Sequence, residues 1–249
     1  MFRGLTVRRE FAVPILIGFA GALGGCAAPK EGVTIAQPFT RPMTVAVAPI
    51  LNFSGSFDLD PVRAADLLAS ELSYVEGVTV LPVNRVVAVL AGQGKTQVES
   101  PAHALAVAEA VGADAVLVAG ITEYDAYTPA VGLVLQMYAP RYNEPPDFDP
   151  VSASRLSQPF AVSRMADPLI PTSQVQAVYD AAHAGVRSAV RQYALPRTSP
   201  ESRLGWRQYL KVQTLFLRFC WHRAITSLMN QERTRAALLS GGTAGEVPT

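Results

Sequence analysis

Glu123, Tyr124, Asp125 and Tyr127 are the residues whose types could do acid–base work here, two carboxylates to take a proton beside two phenols to give one. They close the apolar run ADAVLVAGITEYDAY, and polar groups just beyond the carboxyl end of a strand form a rim that can bind or react. Asp125 or Glu123 would be the base of a hydrolase if a pocket and another polar group met it. The plainer expectation is a hydrogen-bond set that holds a turn. AGQGKTQ, residues 91 to 97, carries the letters of a phosphate loop, but Val89 stands where its first glycine belongs and the residues before Gly92 read as helix. It reads as a helix stop and a polar turn with Lys95 in water, so no nucleotide is expected. His103, His183 and His222 lack the spacing of metal ligands, and no G-x-S-x-G surrounds a serine; neither metal nor cofactor is expected.

The two cysteines remain. Cys26 follows Arg3, Arg8 and Arg9 and the apolar core FAVPILIGFAGAL, which has the charge and length of a secretory leader. A membrane span needs roughly 20 apolar residues, and the chain turns polar at Lys30 and Glu31. Leu23-Gly24-Gly25-Cys26 resembles a bacterial lipobox, which implies cleavage before Cys26, a diacylglycerol on its thiol and an acyl group on its amine. The competing readings are an ordinary secretory leader and an uncleaved anchor. Two or more acyl chains hold a protein firmly on a bilayer, and Ala27, where no aspartate stands, points to the outer membrane. With Cys26 acylated, Cys220 in LFLRFCWH has no partner within the chain and reads as a buried thiol.

The 249 residues are 49% hydrophobic and 16% charged, as in a folded globular chain. Residues 1–25 carry three Arg and one Glu, so removing them turns a formal charge of +1 into −1. That balance gives no basic excess for nucleic acid.

The elements that must position these residues follow from pattern. Residues 26–42 read as a lipidated tether after the signal peptide 1–25. MTVAVAPI is a buried strand leading to a loop; Asp60-Pro61 caps a helix with Val62, Ala65, Leu68 and Leu72 on one face, ending by Gly77. VTVLP is a short strand, Asn84 caps a helix ending at Gly92, and Ser100-Pro101 opens another that Gly112 stops. Then come the central strand and its hairpin neighbour, Val131 to Ala139. The fold class is therefore α/β over residues 43–139, a small mixed sheet backed by helices. Residues 140–172 form a proline-rich loop. Residues 173–239 read as a pair of long C-terminal helices packing on the α/β domain. The first, Ser173 to Ala194, has Val175, Val178, Ala182, Val186 and Val190 at helical spacing; the second runs from about Leu204 to Leu239, with Arg203, Arg207, Arg218, Arg223, Arg233 and Arg235 as its solvated face or a contact for anionic headgroups. Residues 240–249 read as a disordered tail.

VAVAPILNFSGS, GVTVLPVNRVVAVL and AVGADAVLVAGITEYD resemble successive elements of periplasmic lipoproteins related to the curli-secretion lipoprotein and to the activator lipoproteins of penicillin-binding proteins. The matching positions are Pro49, Asn52, Phe53, Arg85, Gly112, Ala113, Asp114, Gly120 and Tyr124, within residues 43–127. The resemblance implies a small α/β domain used for protein contact in the envelope and not for catalysis. The expected protein is an outer-membrane, periplasm-facing, lipid-anchored envelope lipoprotein whose partner, in secretion, transport or cell-wall assembly, meets a rim of Asn52, Phe53, Glu123, Tyr124, Asp125 and Tyr127. The alternative is an oligomeric subunit of an outer-membrane export pore, for which only Val131 to Ala139 offers an amphipathic strand.

Overall fold

The computed structural model describes residues 34–36, 38–39, 41–125, 127–139 and 169–241; Cys26, the leader, residues 140–168 and the tail from 242 lie outside them. Six strands make one sheet in the order β3-β1-β4-β5-β6, with β2 also on β4. β1 (Met43–Val47) lies parallel between β3 (Val78–Val80) and β4 (Ala115–Asp125), and β2 (Leu51–Asn52) is parallel to β4. Parallel neighbours need crossovers, and helices supply them. α1 (Pro61–Leu72) links β2 to β3; α2 (Val83–Gly92) and α3 (Pro101–Val111) link β3 to β4. β5 (Ala130–Tyr138) then returns antiparallel to β4, and β6 (Ser173–Asp180) to β5.

Strand alternation divides the core in two. Val45, Val47, Leu117, Ala119 and Ile121 face Leu68 and Leu72 of α1 and Phe219, Trp221 and Ile225 of the last helix. Ala46, Ala48, Val116 and Val118 face Val86 and Leu90 of α2 and Val107 of α3. Both faces of the central strands are thus covered, as near-continuous apolar runs require.

Local signals set several helix ends as expected. Asp60 Oδ1 accepts from Val62 N at 3.0 Å and Arg63 N at 3.1 Å, Ser100 caps α3 through His103 N, and Gly112 adopts φ 74° at its end. AGQGKTQ is the end of α2 and a turn, with Lys95 paired to Glu99. Asn84 does not cap α2: Pro82 holds the cap position, without a side-chain bond, and Asn84 lies inside the helix. α1 stops at Leu72 with Ser73 as its cap, before Gly77, and Val75 then pairs with Ile35.

The first of the two C-terminal helices is shorter than expected. Ser173–Asp180 is strand, and α4 spans Ala184–Ala194. Val175 and Val178 fit the three-residue spacing of a helix face, but on a strand they fall on opposite sides. Ser173 and Val175 are buried and Gln174, Gln176 and Val178 exposed, a two-residue alternation that pairs β6 with the antiparallel edge β5 offers. Residues 205–210 form a 3-10 segment, and the long α5 spans Gln213–Gly241.

Arg218 is not part of a solvated face. Its Nε donates to Oε1 of the fully buried Glu71 at 2.9 Å and its Nη2 to Ser70 Oγ at 3.1 Å, clamping α5 to α1. His222 Nδ1 lies 3.7 Å from Glu71 Oε2, too far for a hydrogen bond. Burial, reinforced by Arg197 and Arg223, pushes this imidazole down to about 4. Tyr193 packs on His222, and burial first, then Glu71, raises its phenol far above the usual range. Cys220 is buried and free, its thiol raised by desolvation.

Candidate partner-binding rim

The strands' carboxyl ends carry a loop that holds itself rigid. Asn52 Oδ1 accepts from Ser54 N at 3.2 Å and Ser54 Oγ at 2.8 Å, while Asn52 Nδ2 donates to Ser56 O at 2.9 Å. Ser54 Oγ then accepts from Ser56 N, and Ser56 Oγ from Asp58 N. This chain of short bonds presents Phe53, 66% exposed, and Phe57, fully exposed. Phe53 N donates to Ile121 O at 2.9 Å, which fixes its backbone to β4. Its ring lies on Gly120, where a Cβ would come within 2.7 Å of it.

The four residues at the end of β4 divide by role. Asp125 Oδ1 accepts from Tyr127 N at 2.8 Å and Thr128 N at 3.3 Å, the turn-holding arrangement. Tyr127 is fully exposed on that turn. Glu123 is exposed at a register shift beside Gly132. Tyr124 is half-buried, its phenol raised by burial and Asp58 against the opposing pull of Arg63. It lines a cleft of about 250 Å³ with Asp58, Asp60, Arg63, Gln213 and Leu217, where α1 and α5 begin. Neither Glu123 nor Asp125 lines this cleft or the 410 Å³ groove between α1 and α2.

Asn52 thus acts by shaping the loop, while Phe53 and Tyr127 present surface. Two further residues belong here. Phe57 had a signal, an aromatic in a Ser/Gly/Asp loop that no core needs. Gln213 had none: it lines the cleft from far along the chain, and both its amide atoms are out of solvent contact and unpaired. Among the described residues no group of three or more His, Cys, Asp or Glu is placed to hold a metal, and no helix is long and apolar enough to cross a membrane.

No protein-family profile and no curated protein matches the chain. Solved structures similar to it include lipoprotein GNA1162 from Neisseria meningitidis, 19% identical over 56% of this chain and 81% of that one, with a TM-score of 0.38. The LpoB C-terminal domain from Salmonella enterica is 20% identical over 44% of this chain and 76% of its own, with a TM-score of 0.34. The PelC dodecamer from Paraburkholderia phytofirmans is 19% identical over 39% and 59%, with a TM-score of 0.22. Lipoproteins are among the structures this chain resembles, each over part of its length.

Proposed function

We propose that this chain is a non-catalytic bacterial envelope lipoprotein, fastened through Cys26 to the periplasmic face of the outer membrane, whose α/β domain binds a protein partner in secretion, transport or cell-wall assembly. The observation that carries the binding role is the loop of residues 52–58: its hydrogen bonds hold Phe53 and Phe57 in water at fixed positions, beside the exposed Tyr127. Burying a phenylalanine stabilises a protein by about 1.5–3 kcal/mol, so rings kept out in ordered positions are suited to burial against another surface. The anchoring role rests on Leu23-Gly24-Gly25-Cys26 behind a short apolar core.

A photo-crosslinking amino acid at position 57, compared in cells with the same group at the exposed Glu109 on α3, tests the binding surface. A discrete adduct at 57 and none at 109 is the expected outcome; identical patterns at both positions reject the rim. Mass spectrometry of the mature amino terminus tests the anchor, with acylated Cys26 as the expected first residue.

A further inference from the structure

The last part of the tether is built into the domain. Ile35 forms a parallel bridge with Val75, its N–H donating to Tyr74 O at 2.8 Å and its C=O accepting from Glu76 N at 3.0 Å. Ile35 and Phe39 are buried with the main core. Arg233 Nη2 donates to Ala36 O at 3.2 Å, and Arg41 reaches Asp114 at 3.5 Å. Residues 34–36, 38–39 and 41 therefore lie across the end of the domain where α1 finishes and β1 and β3 begin.

This end is opposite the rim. β4 runs eleven residues from Ala115, beside β1, to Asp125 at the rim, about 33 Å over ten steps of 3.3 Å. α5 gives an independent ruler: Gln213 lines the rim's cleft and Arg233 holds the strap, twenty residues or about 30 Å apart. Only nine chain steps separate Cys26 from Ile35. Fully stretched they reach about 32 Å, and a relaxed chain of that length averages about 17 Å.

We infer that the strapped pole faces the lipid surface and the aromatic rim points away from it, an orientation that rests on the anchoring of Cys26 proposed above. A relaxed tether is shorter than the distance between poles, so the domain can turn its rim to the bilayer only by stretching the tether close to its full length. Charge contributes little: Arg41 and Arg233 at this pole stand with Glu76 and Asp114. Chain length and the Ile35 attachment set the orientation.

The test uses the acylated full chain in phosphatidylethanolamine/phosphatidylglycerol vesicles carrying a headgroup-attached quencher. Glu76→Cys and Tyr127→Cys each place one fluorophore, since Cys220 is buried with its thiol pKa raised. Quenching at position 76 should exceed that at 127 at least threefold. A fifteen-residue Gly/Ser insertion after Ala28, which leaves every described contact intact, should bring the ratio close to one, as should Ile35→Asp by releasing the strap. Equal quenching in the uninserted protein, with acylation verified by mass and binding by flotation, overturns the orientation and leaves the anchor standing. An unacylated amino terminus overturns both.

Discussion

The two poles of this domain treat apolar side chains in opposite ways. At the tether pole Ile35, Phe39 and Val75 are buried, and the strap's backbone groups pair with Tyr74 and Glu76. At the rim, side-chain hydrogen bonds hold a loop whose two phenylalanines stay in water. The first arrangement lowers the energy of the free protein; the second forgoes that gain. Which pole does which is decided by short polar residues. Asn52, Ser54 and Ser56 can close bonds on their own backbone, whereas Ile35 and Phe39 stabilise the chain only by packing.

The strongest way to break the contrast is to loosen what both poles share. Trp221→Ala, in the core between α5 and the sheet, should cost about 3–5 kcal/mol, read by urea unfolding, with probes at both poles melting together. Acid should act nearly as strongly. His222 is neutral in the fold down to about pH 4 but protonates near 6.5 when unfolded, so the unfolded chain binds the extra proton between those values. Stability is complete above pH 6.5 and falls by about 3 kcal/mol on the way to pH 4. His222→Phe should flatten that slope in a pH series of denaturation curves.

Smaller effects separate the poles. Ile35→Ala should cost about 2 kcal/mol and speed amide exchange at Glu76, leaving Phe53 and Tyr127 amides unchanged. Gly120→Ala should cost about 1 kcal/mol, because the new Cβ meets the Phe53 ring and swings it off the sheet; the rim's cross-linking should fall with it. Phe57→Ala should change stability by less than about 0.5 kcal/mol and still abolish the adduct formed when the photo-crosslinking amino acid is placed instead at position 53.

What could be read from the sequence follows from how local each determinant is. Asp60-Pro61, Ser100-Pro101 and Gly112 act within one helical turn, and the structure has each helix end they indicate. Ser173–Asp180 reads as helix because Val175, Val178 and Ala182 recur at helical spacing, and its strand form is set by pairing with β5, which no local pattern marks. Glu71 and Arg218 lie 147 residues apart, so nothing near either one marks the clamp. The same holds for the cleft, which needs Gln213 beside Tyr124. The exposure of Phe53 and Tyr127 was legible because each lies within a few positions of a strand end, whereas the bonds from Asn52 to Ser54 and Ser56 depend on the loop's own turn.

The side-chain bonds of the 52–58 loop close within four residues of where they start. Phe57 can therefore be exchanged for another side chain without readjusting the sheet beneath, whereas any substitute for Phe53 must still fit over Gly120.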